Sequence, residues 1–159
     1  MKITVLCVGK IKESFFREGV AEYAKRLSRY CRFEVVEVAD EMTPEDAGET
    51  VRKQILEKEG ARLLSRIRDG AYVCTLEIKG RRFTSEAFAE EIRQAMLGGN
   101  SDLVFVIGGS LGLAPEVTKR ADLHLSFSDM TFPHQLMRVI LCEQIYRAFR
   151  IIQGEPYHK

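Results

Sequence analysis

The chain has 159 residues, a length that lets one domain bury a core without disulfides or metal ions. Apolar residues make up 45% and charged residues 30%, which excludes a disordered chain, while a net charge of +1 neither indicates nor excludes a nucleic-acid partner. The apolar run at the amino terminus is too short for a signal peptide, and no segment reaches membrane length. We therefore expect a single cytoplasmic domain spanning residues 1–159.

Strand and helix patterns alternate along the chain. Short apolar or alternating runs predict five strands, at residues 3–8, 33–38, 71–78, 103–107 and 122–126. Apolar residues at helical spacing predict helices at residues 14–30, 43–67, 85–96, 115–121 and 134–153. Thr43 and Pro44 predict the start of the second helix, because threonine caps helices and proline suits the first helical position. This alternation predicts an α/β fold with a mainly parallel sheet and helices on both faces.

The cysteines do not form a metal-binding pattern. The chain has four of them and no C-x-x-C pair: Cys7, Cys31, Cys74 and Cys142. Three lie inside apolar stretches (TVLCVG, YVCTL and VILCEQ), where buried reduced thiols are more common than metal ligands or nucleophiles. We therefore expect no metal site.

The stretch LVFVIGGSLGL places three glycines directly after the fourth predicted strand. Gly108, Gly109 and Gly112 lack the dinucleotide-binding spacing, and no Lys-Ser/Thr pair follows to make a phosphate loop. Two interpretations stay open, a tight turn before the helix at Pro115 and a close approach of backbone to a ligand. Ligands of parallel sheets bind outside the carboxyl ends of the strands, where the loops after Ile78 and at 127–132 would also gather. The position predicts that this turn borders a pocket.

The last predicted helix is apolar almost all round between Leu136 and Leu141. A helix that packs on one side only shows a single apolar stripe. We therefore predict that it packs on its own sheet and also against a second subunit, with Ile140 and Leu141 at the interface. The alternative, a helix buried within one chain, stays open.

Some polar side chains carry no clear functional signal by themselves. Lys10 and Lys12 form one of several local basic clusters, each of which fits a solvated surface better than a phosphate contact. His124 lies inside a predicted strand and is interpreted as structural. His134 follows a proline at a helix start and is also interpreted as structural.

Four motifs together carry a resemblance to a known family. They are Gly108-Gly109-x-x-Gly112-Leu113, the segment S-F-S-x-M-T-F-P-H-Q-x-x-R at 126–138, E-Q-x-Y-R-A at 143–148 and the terminal Y-H at 157–158. With these motifs the chain resembles, over its whole length, the RlmH family. These are small SPOUT-class methyltransferases that act on N3 of a pseudouridine in large-subunit ribosomal RNA. The chain departs from the family at Ser110, where we expect a proline in many relatives.

The resemblance implies a fold, a cofactor and an assembly. It implies a SPOUT-type fold with a trefoil knot in the carboxyl-terminal half, a homodimer, and S-adenosylmethionine bound in a bent form at the knot loops. Carried over to this chain, the cofactor contacts are Leu76, Gly108, Phe127, Ser128, Asp129, Met130, Thr131 and Phe132. The sulfonium of that cofactor is already a good leaving centre, so the transfer requires no metal ion.

The resemblance also gives functional weight to the chain terminus. Tyr157 and His158 lie on a short tail that would otherwise be interpreted as frayed. An aromatic ring that stacks on an extruded base, beside an imidazole that accepts the imide proton, suits RNA methylation and predicts catalytic roles. Arg138 is predicted to hold RNA phosphate, with pairing to Glu143 or another acidic residue as the alternative. The modest charge favours an assembled ribosome over free RNA as the substrate.

Two other classes of function stay open at this point. One is an RNA-binding assembly factor that keeps the fold without catalysis, and the other is a generic nucleotide-binding α/β module. The glycine turn and the loop at 127–132 favour the enzyme, because a pure binder needs no cofactor pocket. The absence of a phosphate-loop lysine argues against the nucleotide-binding module.

Overall fold

A computed structural model describes residues 1–159 and shows one sheet of five parallel strands between two layers of helices. The strands are β1 (Lys2–Val8), β2 (Arg32–Val38), β3 (Tyr72–Arg82), β4 (Asp102–Ile107) and β5 (Leu123–Ser126). The helices are α1 (Ser14–Leu27), α2 (Glu49–Leu64), α3 (Ser85–Leu97), α4 (Pro115–Arg120) and α5 (His134–Ile152). The predicted α/β class with a parallel sheet is confirmed, since every pair of neighbouring strands is parallel.

The strand order is β2-β1-β4-β3-β5, so β1 and β4 lie at the centre of the sheet. Both are buried from their second residue onward and are mainly apolar, as expected for strands that are covered on both faces. On one face, side chains such as Ile3 and Phe105 pack with buried residues of α1, α3 and α5. On the other face, Leu6 and Val106 pack with α2 and α4. All five carboxyl ends meet at one edge, which is where ligand sites of such sheets form.

The predicted start of the second helix is wrong. Helix α2 begins at Glu49, with Gly48 as its N-cap, six residues after Thr43. The Thr43 hydroxyl is buried without a hydrogen-bond partner, and the N–H of Ala47 closes a turn on the Pro44 carbonyl at 3.1 Å. Threonine followed by proline favours a turn as well as a helix start, and here the turn is formed.

The third strand continues past its predicted end at Ile78. It reaches Arg82 by way of an irregularity in which Leu125 of β5 pairs with both Leu76 and Arg81. Gly80 makes this possible, because a Cβ there would lie 2.7 Å from the carbonyl carbon of Leu125. The intervening residues therefore bulge out of the ladder at the carboxyl edge of the sheet.

Arg138 is the largest fully buried side chain of the protein, with 0% of its surface exposed. Its guanidinium donates to Glu37 at 2.8 Å, to the carbonyl of Val8 at 2.8 Å and to that of Gly9 at 2.9 Å. The predicted phosphate contact is therefore wrong, since the side chain has no exposed surface and both terminal nitrogens of its guanidinium donate to protein acceptors, while the buried Nε has no partner. The alternative, pairing with an acidic residue, is confirmed, but the partner is Glu37. Glu143 instead binds Arg147 at 2.6 Å.

The last helix is covered mainly by its own chain. Leu141 is 0% exposed and belongs to the core, so the prediction that it lies at a subunit interface is wrong. Ile140 is only half-buried and remains available for such a contact. The terminal helix of a small domain is enclosed here because α1 and α3 pack along both of its sides.

The cysteines and acidic groups give no metal-binding cluster. All four cysteines are buried and unpaired, and burial raises the pKa of the Cys7 thiol to about 12. No group of three or more His, Cys, Asp or Glu side chains is arranged to hold a metal ion. None of the helices combines the length and hydropathy that crossing a membrane requires.

Replacing Arg138 by methionine should destabilise the fold, because it removes the guanidinium that donates to two buried carbonyls and neutralises the Glu37 carboxylate. We expect the free energy of unfolding to fall by about 3 kcal/mol, measured by urea denaturation. Arg93→Met is the matched control, since it removes an exposed arginine that pairs with Glu90 at 2.7 Å and should change stability little. Equal stability of the two variants would contradict a structural role for Arg138.

Candidate functional site

A cleft of about 360 Å³ opens at the carboxyl ends of β3, β4 and β5. We call it the cofactor cleft, and its size is typical of small-molecule sites. Seven of the eight residues predicted to bind cofactor line it, namely Leu76, Gly108, Phe127, Ser128, Met130, Thr131 and Phe132. The eighth, Asp129, does not line the cleft and instead forms an ion pair with Arg82.

The glycine turn, residues 108–112, forms the wall of the cleft at the end of β4. The N–H of Gly112 donates to the carbonyl of Gly109 at 3.1 Å, which folds the turn back on itself. Gly112 has φ +85°, a conformation that L side chains rarely adopt. A Cβ on Gly108 would lie 2.6 Å from the carbonyl carbon of Gly112. The turn thus requires glycine at 108 for its own backbone packing, before any ligand is considered.

The loop at 127–132 closes the opposite side of the cleft. The Ser126 hydroxyl donates to the carbonyl of Ile78 at 2.8 Å, and so ties the end of β5 to the bulge of β3. The Ser128 hydroxyl accepts from the N–H of Met130 at 3.0 Å, which fixes the turn of the loop. Met130 is 71% exposed and Phe132 37% exposed, so two large apolar side chains stand at the rim. Such a rim provides an apolar surface for a planar ligand ring.

The cofactor cleft is also lined by two titratable groups, Glu77 and His134, which the sequence analysis did not assign to it. Glu77 carries the only carboxylate among the residues that line the cleft. Its Oε2 accepts a hydrogen bond from the Thr75 hydroxyl at 2.7 Å and contacts Nδ1 of His124. His134 stands at the start of α5, and its Nδ1 is buried without a partner. Burial and the charge of Arg138 lower the pKa of His134, so its imidazole is neutral at pH 7.

Comparison with known proteins identifies the family. A family model described as "Predicted SPOUT methyltransferase" matches residues 1–158. The chain belongs to the SPOUT methyltransferase family. It is similar to proteins named "Ribosomal RNA large subunit methyltransferase H" from Bifidobacterium animalis subsp. lactis (strain AD011), at 60% identity, and from Streptococcus thermophilus (strain CNRZ 1066), at 56%. Both alignments cover 100% of each chain over 159 residues.

A solved structure resembles this SPOUT methyltransferase in fold alone. It is described as a probable methylase family protein from Haemophilus influenzae Rd KW20, with a TM-score of 0.54 at 12% identity. The superposition covers 99% of this chain and 70% of that one.

The tail of this SPOUT methyltransferase is packed against the domain. The Tyr157 hydroxyl donates to Glu143 at 3.1 Å, and its ring meets that of Tyr146 edge-on with centroids 5.0 Å apart. Nε2 of His158 lies 2.8 Å from Glu86, and its Nδ1 lies 3.2 Å from Arg147. The tail therefore bridges α3 and α5, and neither Tyr157 nor His158 lines the cofactor cleft of its own chain.

The back of the glycine turn is closed by a buried carboxyl group on α2. Glu59 is only 4% exposed, its Oε2 has no hydrogen-bond partner, and that oxygen lies 3.0 Å from where a Cβ of Gly109 would be. Burial, reinforced by the carboxylates of Asp40 and Glu41, raises the pKa of Glu59 to about 6. No sequence signal marks Glu59, since the residues around it in α2 are mostly polar and are typical of an exposed helix.

Glu59 should make stability fall as pH rises. Its folded-state pKa of about 6 exceeds the ordinary 4.5, so its favourable protonated state is fully present below pH 4.5 and is lost as pH rises through 6. Glu59→Gln cannot ionise. As pH rises through that range, its free energy of unfolding should therefore increase relative to that of the wild type by about 1 kcal/mol, after allowance for solvent screening. Urea unfolding at a series of pH values measures this, with the exposed Glu57→Gln as control. A stability difference that does not vary with pH would contradict the raised pKa.

Proposed function

We propose that this SPOUT methyltransferase transfers a methyl group from S-adenosylmethionine to N3 of a pseudouridine in large-subunit ribosomal RNA. The observation that carries the proposal is the cofactor cleft, where the glycine turn and the loop at 127–132 meet at the carboxyl edge of a parallel sheet. The full-length relatives, 55–60% identical and named for methylation of large-subunit ribosomal RNA, support the choice of substrate.

The lining of the cleft fits the proposed cofactor. An adenosine group requires apolar walls with backbone donors and acceptors, which Leu76, Phe127 and the glycine turn offer. The cofactor also carries positive charge, and Glu77 provides the one carboxylate of the lining. When bound, S-adenosylmethionine supplies an electrophilic methyl group on sulfur. The protein's task is then to hold the acceptor nitrogen in line with that methyl group, which is a proximity effect.

The acceptor must lose its imide proton, and we assign that step to the tail. In the proposed mechanism His158 accepts the proton, while Tyr157 stacks on the base. Burial and the Glu143 carboxylate raise the pKa of Tyr157 to about 12, so its phenol stays protonated and serves for stacking only. Asp129 is exposed at the cleft rim, outside the lining, and we retain it as a contact that the bound cofactor would order.

The position of the tail supports a homodimer. Because Tyr157 and His158 do not line the cleft of their own chain, we propose that the tail of one subunit serves the cleft of the other. The half-buried Ile140 remains a candidate contact between subunits. We further propose the trefoil knot of the SPOUT fold, a cytoplasmic location, and the assembled ribosome as substrate. Sedimentation of the wild type as a monomer at micromolar concentration would contradict the shared site.

Transfer of labelled methyl from S-adenosylmethionine tests the function directly. Free ribosomal RNA, large subunits and whole ribosomes are compared side by side, and the modified position is identified in the product. We expect transfer to the ribosome. Transfer to none of the three, by folded protein that binds the cofactor, would contradict the proposal.

Gly108→Ala should weaken cofactor binding. The new Cβ forces the glycine turn to move away from Gly112, and the backbone groups that face the ligand move with it. We expect the affinity for S-adenosylmethionine to fall at least about tenfold by calorimetry, about 1.4 kcal/mol. Gly70→Ala is the control, because a Cβ there meets nothing within 4 Å. Equal affinities in the two variants would show that the turn takes no part in cofactor binding.

His158→Ala should slow methyl transfer by about 10²-fold or more if the imidazole accepts the imide proton. Raising the pH should restore part of the rate, because the imide then ionises without help. Lys159→Ala is the control, and calorimetry should show unchanged cofactor affinity in both variants. A fall in rate of the same size at every pH would mean that His158 positions the RNA and takes no proton.

A further inference from the structure

A second cavity of about 340 Å³ lies beside the cofactor cleft, at the carboxyl ends of β1 and β2. Its walls include Lys10 and Lys12 after β1, Asp40 after β2, and His134 with Gln135 at the start of α5. His134 lines both cavities, so its side chain belongs to the wall between them. Its Nδ1 is buried and has no hydrogen-bond partner within the protein.

Some charged groups of this second cavity have partners within the protein, and others have none. Glu37, which also lines it, is already neutralised, because its Oε2 accepts from Arg138 and from the N–H of Ile11, both at 2.8 Å. Lys10 and Lys12 have no carboxylate within ion-pair distance, and Asp40 has no hydrogen-bond or ion-pair partner. The cavity therefore presents two unpaired ammonium groups and one unpaired carboxylate beside a neutral imidazole.

These groups match the chemistry of a nucleotide that contains an imide base. Ammonium groups bind phosphate oxygens, and a carboxylate accepts a hydrogen bond from a ring N–H. In pseudouridine both ring nitrogens carry a proton, whereas in uridine N1 is bonded to the sugar and carries none. A carboxylate that accepts from the N1–H can therefore distinguish the two bases, while N3 remains free to face the methyl donor.

We propose that this second cavity, which we name the acceptor cavity, holds the nucleotide to be methylated, with Lys10 and Lys12 on its phosphates and Asp40 on the N1–H. The proposal rests on the proposed methyl transfer and adds to it the place of the substrate. It also makes Asp40 the residue that selects pseudouridine over uridine. In this arrangement the base would extend from the acceptor cavity past His134 into the cofactor cleft, because N3 must come within about 3.5 Å of the methyl carbon for transfer.

The lysines are tested with Lys10→Ala/Lys12→Ala against Lys53→Ala/Lys119→Ala, which removes the same charge from exposed sites on α2 and α4. In the first variant we expect unchanged affinity for S-adenosylmethionine by calorimetry and a KM for ribosomes raised at least about tenfold. The dependence of log affinity on log salt should become less steep by about 0.7 for each lost phosphate contact. The control variant should behave like the wild type.

Asp40 is tested on ribosomes that carry either pseudouridine or uridine at the modified position. Asp40→Ala should narrow the wild-type preference in kcat/KM for pseudouridine by about tenfold or more, because a charge-assisted hydrogen bond is lost. Asp40→Asn should restore part of the preference, since it keeps an acceptor oxygen. Asp46→Ala, an exposed residue of the same connection, should leave the preference unchanged.

The outcomes separate this proposal from the one on which it rests. Absence of methyl transfer by the wild type would overturn the proposed function, and the acceptor cavity with it. Normal wild-type transfer, with KM unaffected in the lysine variant and the base preference unaffected in Asp40→Ala, would overturn the acceptor cavity alone. Loss of S-adenosylmethionine binding in either variant would assign these residues to the cofactor and would also overturn it.

Discussion

The buried guanidinium of Arg138 connects the parts of the protein that form its functional edge. It joins the second turn of α5 to two carbonyls at the end of β1 and to the Glu37 carboxylate on β2. A charge with no exposed surface is stable only when such partners surround it, so the start of α5 is confined to one position over the sheet. His134 lies one helical turn before Arg138, and its place as the wall between the two cavities follows from that confinement.

The glycine turn applies a second constraint, and it acts through backbone alone. The turn folds on itself between Gly109 and Gly112, and α2 approaches so closely that a Cβ on Gly60 would lie 2.9 Å from the Cβ of Ala114. Glu59 fills the remaining space behind the turn with a carboxyl group whose pKa is raised to about 6. The turn is therefore backed by Glu59 of α2 on one side and borders the cofactor cleft on the other. Such preorganisation lowers the cost of ordering a loop around a ligand.

Features that depend on local pattern were predictable from the sequence, and features that depend on distant contacts were not. Continuous apolar runs identify the strands, and the rule for parallel sheets places the glycine turn and the 127–132 loop together at one edge, as the structure shows. The burial of Arg138 escapes such an interpretation, because its partners are more than 100 residues away in the chain. Glu59 was missed because its burial depends on the glycine turn, which belongs to a different part of the sequence. The tail, whose composition is typical of a frayed terminus, has a defined position because Tyr157 packs on Tyr146.

The burial of Arg138 also changes where positive charge is available for RNA. With that guanidinium enclosed, the unpaired cations of the acceptor cavity are Lys10 and Lys12, on a chain whose net charge is only +1. Two phosphate contacts release few counterions, so electrostatics of this size cannot hold a flexible RNA tightly at physiological salt. A substrate that is already folded loses less conformational freedom on binding, and its complementary shape can add contacts to those made by these few charges. Under the proposed function, a weakly charged enzyme with a small acceptor cavity would therefore bind a nucleotide presented by an assembled ribosome better than a nucleotide in a free strand.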